Sequence, residues 1–151
     1  MLNSGDKAPT FDASDQQGNA VSLSTLLETG PVLLYFYPAD FTPICTAQAC
    51  AFRDQADALD DVSVQILGIS PQSTSSHQRF ADTYNLGFPL IADEKKTIIR
   101  GYGVDGPLGF GVRRATFLIN QDGRIGKRVV SDLFVGSHTD FIRSVLKESD
   151  K

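Results

Sequence analysis

The chain holds only two cysteines, Cys45 and Cys50, set five residues apart in the stretch Pro38-Ala-Asp-Phe-Thr-Pro-Ile-Cys45-Thr-Ala-Gln-Ala-Cys50. A cysteine does chemistry as its thiolate, which is both the nucleophile and the metal ligand, whereas an ordinary thiol with a pKa of about 8.5 is mostly protonated at neutral pH. The stretch contains a device for ionising one. Thr42-Pro43 reads as an N-cap followed by a proline at the first helical position, and an alanine-rich run continues toward Asp60. Cys45 then falls in the first turn, where backbone N–H groups without helical partners and the positive end of the helix dipole favour the thiolate. The competing role for both cysteines is that of small buried hydrophobes.

The spacing restricts what the second thiol can do. Positions i and i+5 of a continuous α-helix lie ~8.7 Å apart between Cα atoms, and a disulfide needs less than about 7 Å. A Cys45–Cys50 bond would therefore require the start of the helix to unravel, which suits a catalytic disulfide better than a structural one. Zinc is disfavoured, because two thiolates leave a tetrahedral site half built; His77 and His138 stand far off in the sequence and are expected at the surface. The Cys-x-x-Cys of a plain disulfide oxidoreductase is absent.

The elements that must position these thiols follow from the hydrophobic pattern. Val32-Leu-Leu-Tyr-Phe-Tyr37, bounded by prolines, reads as a buried strand running into the Pro38 loop, and Val62-Ser-Val-Gln-Ile-Leu-Gly-Ile69 as a second core strand. Phe11–Ser14 and Ala20–Leu23 flank a turn at Asp15–Asn19. A helix over Thr74–Tyr84, capped by Ser73, leads into a short strand at Pro89–Ala92. Ala115–Ile119 and Arg124–Val130 form a hairpin across Asn120–Gly123, and Ser137-His-Thr-Asp140 opens a last helix buried through Phe141, Ile142, Val145 and Leu146. Strands alternating with helices indicate an α/β sandwich with a mixed central sheet flanked by helices.

Composition narrows the class. The 151 residues are 41% hydrophobic without a long apolar run, so a single domain over 1–151 and no membrane span are expected. A formal net charge of -4 without a basic cluster argues against nucleic acid. Met1-Leu-Asn-Ser-Gly-Asp carries neither a basic nor an apolar leader pattern, which points to a cytoplasmic location, where nearby cysteines are more often redox-active than structural.

Pro38-x-x-x-Thr42-x-x-Cys45, with Cys50 and Ala-Phe-Arg-Asp54 after it, resembles the active-site stretch of peroxiredoxins. The helical second cysteine is similar to that of the peroxiredoxin Q, or bacterioferritin comigratory protein, subgroup. Gly5-Asp-Lys-Ala-Pro-Thr-Phe11 resembles the family's N-terminal entry, Arg114-Ala-Thr-Phe-Leu-Ile119 its arginine-bearing strand, and Gln121-Asp-Gly-Arg124 the turn that follows. The resemblance implies a thioredoxin fold with peroxiredoxin-type insertions, a monomer, and a peroxidase that needs no cofactor or metal. It implies hydrogen peroxide and organic hydroperoxides as substrates and a thioredoxin or similar dithiol as reductant. By the same resemblance Cys45 is the nucleophile, Pro38 shapes and shields the loop, and the Thr42 hydroxyl, nearby backbone N–H groups and Arg114 are donors to the breaking O–O bond. Arg114 is preferred over Arg113 because it holds the Arg-x-Thr-Phe register and strand alternation sends the two to opposite faces. The sulfenic acid formed on Cys45 is resolved by Cys50, the only other thiol, or by another molecule.

Phe41, Ile44 and Gln48 depart from the subgroup pattern, which carries a short polar residue, glycine and glutamate there. Gln48 keeps a hydrogen-bonding group that could still tether an arginine. Phe110, in a glycine-rich stretch, is a candidate to lie over the pocket. Two other readings use the same thiols: a redox sensor, and a copper-binding protein of thioredoxin fold. The second leaves Thr42 and Arg114 without a role.

Overall fold

The strand Val32–Phe36 (β3) alternates its side chains between two hydrophobic layers, and the fold is built on that alternation. Val32, Leu34 and Phe36 join one buried cluster, while Leu33 and Tyr35 join the other. The computed structural model describes residues 1–106, 111–131 and 135–149. Its elements are β1 (Asp12–Ser14), β2 (Ala20–Ser22), α1 (Leu23–Thr29), β3, α2 (Pro43–Asp61), β4 (Gln65–Ser70), α3 (Thr74–Tyr84), β5 (Leu90–Ala92), α4 (Thr97–Gly101), β6 (Ala115–Ile119), β7 (Ile125–Val130) and α5 (Val135–Ser149).

The main sheet has the order β5-β4-β3-β6-β7. β3, β4 and β5 run parallel through helical crossovers, whereas β6 runs antiparallel to both its neighbours β3 and β7, so the sheet is mixed as expected. β1 and β2 form a separate antiparallel hairpin closed by the Asp15 carboxylate, which accepts from the Gln17 and Asn19 backbone N–H groups. One cluster gathers Leu23, Leu27, Ile99 and Tyr102 against β3, β4 and β6. The other gathers Phe52 and Leu59 of α2, Phe80 of α3, and Ile142 and Val145 of α5. Gly68 permits the second layer to close, since a Cβ there would sit 2.7 Å from Leu90 and 2.9 Å from the Tyr35 ring.

Three sequence expectations shift. The second core strand begins at Gln65, not Val62, because α2 continues to Asp61 and Ser63 turns the chain at φ +62. The short helices α1 and α4 were not expected, having too few turns to show periodicity. The last helix starts at Val135. Among the described residues no helix is long and apolar enough to cross a membrane. Phe110 lies outside the described residues.

Candidate active site

The parallel strand β3 delivers the chain to the carboxyl edge of the sheet at Tyr37, and a five-residue loop leads into the 19-residue helix α2. Thr42 occupies the N-cap with extended backbone (φ -74, ψ 148), and Pro43 opens the helix. The first backbone bond of α2 runs from Thr46 N to Thr42 O at 2.8 Å, so the helix offers the N–H groups of Ile44 and Cys45 no partner. The Thr42 side chain makes no capping bond, contrary to expectation. Its hydroxyl instead donates to the Ala39 carbonyl at 3.0 Å, across the loop.

Cys45 is 1% exposed and reduced, and Arg114 Nη2 approaches its Sγ to 3.2 Å. Arg114 precedes β6 and is half-buried, while Arg113 is exposed and bonds through its backbone N–H to Val104 O. The structure thus brings Arg114 onto Cys45, with Thr42 three residues before Cys45 at the helix start and Arg113 exposed. Pro38 stands in the same loop, half-buried between Tyr37 and Ala39. Cys50 is a free, half-buried thiol farther along the same uninterrupted helix.

Gln48, one turn beyond Cys45, is fully buried, and neither atom of its amide has a hydrogen-bond partner. Gln48 therefore makes no hydrogen bond to an arginine. Phe41 is 45% exposed at φ +64, and its ring meets Phe80 edge-on with centroids 5.1 Å apart. It packs on α3 as part of the loop's footing, and Ile44 beside it is half-buried.

The expectation that the histidines lie at the surface is wrong for both. His77 and His138 are 0% and 1% exposed. His77 Nδ1 lies 2.7 Å from Asp40 Oδ2 and its Nε2 lies 3.1 Å from Ile91 O. His138 reaches Thr116 Oγ1 at 2.8 Å and Ser131 O at 3.1 Å, next to the segment that carries Arg114. Helical spacing carried the signal: His77 with Phe80 and Ala81, and His138 with Phe141 and Ile142, fall at i, i+3, i+4 on the inward stripes of α3 and α5. Among the described residues no group of three or more His, Cys, Asp or Glu could hold a metal ion.

A helix-start thiol with a guanidinium on its sulfur, at the carboxyl edge of a mixed five-stranded sheet, defines a thiol-active α/β protein of thioredoxin fold. Residues 4–128 match the AhpC/TSA family, and the chain belongs to it. It is 40% identical to peroxiredoxin Bcp of Escherichia coli strain K12 over 153 aligned residues, covering 97% of each chain. It is 41% identical to the putative chloroplastic peroxiredoxin Q of Oryza sativa subsp. indica over 124 residues, covering 81% of this chain and 56% of that one. Among solved structures, peroxidoxin BcpB from Mycobacterium tuberculosis superposes with a TM-score of 0.90 at 35% identity, over 98% of both chains. Peroxiredoxin Q of Xanthomonas campestris superposes with a TM-score of 0.85 at 27% identity, over 93% of this chain and 92% of that one.

Proposed function

We propose that the protein is a thiol-dependent peroxidase in which Cys45 attacks the O–O bond of hydrogen peroxide or an organic hydroperoxide. The observation that carries this reading is the 3.2 Å contact between Arg114 Nη2 and Cys45 Sγ, supported by a family whose relatives are named peroxiredoxins. A guanidinium there faces the charge that spreads over sulfur and the peroxide oxygens in the transition state. With its own hydrogen committed to Ala39 O, the Thr42 oxygen presents lone pairs and is suited to accept from the peroxide O–H. The N–H groups of Ile44 and Cys45 are then the backbone donors, and Pro38 limits water at the mouth.

The sulfur is oxidised by two electrons as the O–O bond breaks. Cys45 becomes a sulfenic acid, and the leaving alkoxide or hydroxide takes up a proton to depart as alcohol or water. Cys50 resolves it: its sulfur bonds to Cys45 Sγ, the sulfenic oxygen leaves as water, and an intramolecular disulfide remains. A thioredoxin-like dithiol restores both thiols by exchange. The whole chain, 1–151, acts as one monomeric domain in the cytoplasm, and sulfur carries the electrons without a cofactor.

Peroxide consumption by the purified protein with thioredoxin, its reductase and a reduced nicotinamide donor tests the reading. Steady turnover is expected with the native chain and none with Cys45→Ser. Sensing alone would give a single oxidation without turnover.

A further inference from the structure

We propose that Asp40 and His77 form a buried carboxylate–imidazolium pair that positions the Thr42–Cys45 loop for attack on the peroxide. Neither residue touches the sulfur or the substrate in this account, so both act through the loop; the role rests on the peroxidase reading of Cys45.

The protonation state follows from counting donors and acceptors. His77 Nε2 faces the Ile91 carbonyl at 3.1 Å, and a carbonyl can only accept, so Nε2 carries a hydrogen. Nδ1 lies 2.7 Å from Asp40 Oδ2, so one proton sits between them. The remaining contacts place it on the imidazole. The Ser76 hydroxyl donates to the same Oδ2 at 2.8 Å and the Tyr37 hydroxyl donates to Oδ1 at 2.7 Å. A carboxylate accepts all three through full lone pairs, whereas a carboxyl protonated at Oδ2 would have to take the Ser76 hydroxyl on its own O–H oxygen, a far weaker acceptor. Burial, then the neighbouring Tyr35 and Asp40, push the Tyr37 phenol well above its ordinary range, which keeps it a donor. The groups facing the pair are therefore Tyr37 at the end of β3, Ser76 from α3 and the Ile91 carbonyl of β5, and both charged side chains are fully buried. Two opposite charges out of water are tolerable only when they are paired and hydrogen-bonded to further partners, as here.

The placement of the pair gives it a task. Asp40 lies between Pro38 and Thr42, and the next residue, Phe41, holds φ +64 without being glycine. A bulky residue keeps that left-handed conformation only where its surroundings impose it. The Asp40 carboxylate on one side and the Phe41–Phe80 contact on the other clamp the loop to α3. The carbonyl that receives the Thr42 hydroxyl, Ala39 O, belongs to the residue just before Asp40. Releasing Asp40 therefore frees the backbone that aims Thr42 and starts α2.

The test has two arms on the full-length reduced protein. Nitrogen-15 spectra of the His77 ring at neutral pH should show hydrogen on both nitrogens; a single neutral tautomer would overturn the pair. Asp40→Asn and His77→Gln should each slow peroxide oxidation of Cys45 by about ten- to a hundred-fold through misplacement of the loop. The double variant should lose no more than either single one. Alkylation of Cys45 by iodoacetamide, compared where the thiol is fully ionised, should keep its native rate, because a positioned peroxide is not involved. Native peroxide rates in both variants, or alkylation falling in step with peroxide attack, would overturn the positioning role. Where the variants do not fold, the ring spectra of the native chain still decide the pair. A native chain that consumes no peroxide would overturn the peroxidase reading and the role together, and the ring spectra would show whether the pair exists regardless.

Discussion

At the scale of single residues, Arg114 and Arg113 make the sharpest contrast, because two identical cations on consecutive positions have opposite fates. One reaches Cys45 Sγ at 3.2 Å and the other is exposed. Arg114→Ala is expected to slow peroxide attack about 10²–10³-fold even where Cys45 is ionised in both proteins, since the transition state loses a donor aimed at its charge. Arg113→Ala should leave the rate unchanged. Stopped-flow oxidation of the two variants checks this, and a slower Arg113 variant would reverse the assignment. The Arg-x-Thr-Phe register, which resembles the family's arginine-bearing strand, singled out Arg114 from sequence; both arginines lie just before β6, where strand alternation does not apply. Gln48 was less legible. Its buried, unbonded amide carries no trace in the sequence, because whether a polar side chain finds a partner depends on packing between elements distant in the chain.

At the scale of elements, the reduced protein holds both cysteines on one continuous helix, Pro43–Asp61. A Cα separation of ~8.7 Å for positions i and i+5 cannot be closed by a disulfide, so the proposed Cys45–Cys50 bond requires the helix to melt locally from about Pro43 to Phe52. Hydrogen exchange should show protection between Thr46 and Phe52 in the reduced protein and its loss in the oxidised one. Equal protection in the two states, with the internal disulfide confirmed by mass, would contradict the melting. The helix start was readable because Thr42-Pro43 states it locally, and Ser73 likewise caps α3, where its hydroxyl accepts from Ser76 N at 3.2 Å. The short helices α1 and α4 were not readable. Leu23–Thr29 is held by tertiary burial of Leu23 and Leu27, and Thr97–Gly101 by burial of Ile99 and by the Asp93 carboxylate, which accepts from Ile99 N at 2.8 Å. The buried histidines were missed for a different reason: their helical stripe was visible, but burial of an imidazole depends on Asp40 and Thr116, which the sequence places 37 and 22 residues away.

At the scale of the whole molecule, the layer holding Cys45 is unusually rich in buried phenols. Tyr35 stacks on Phe52 with centroids 4.4 Å apart, and Tyr37 lies beside it. Burial first, and then neighbouring acidic groups, raise both phenols well above the ordinary 10.0; burial also raises Tyr102 in the opposite layer. A folded-state value raised above the unfolded one means that the native state retains protons which the unfolded chain releases. This stabilising contribution is complete below about pH 10 and is lost as the pH climbs further, by about 1.4 kcal/mol per pH unit for each phenol. Urea denaturation between about pH 8 and pH 11 should show that alkaline decline, with tyrosine ionisation appearing only as the protein unfolds. Free titration of these phenols in the folded state would contradict it. The central claim joins all three scales, for it needs a reactive Cys45, a helix that opens and a fold that survives the opening. It is tested most directly by adding one equivalent of peroxide to the reduced protein and mapping the thiols by mass. The native chain should become a monomer lighter by two hydrogens with Cys45 bonded to Cys50, Cys50→Ser should carry a sulfenic acid on Cys45, and Cys45→Ser should show no oxidation. Rapid oxidation of Cys50 in the Cys45→Ser variant, with Cys45 left untouched in Cys50→Ser, would contradict it.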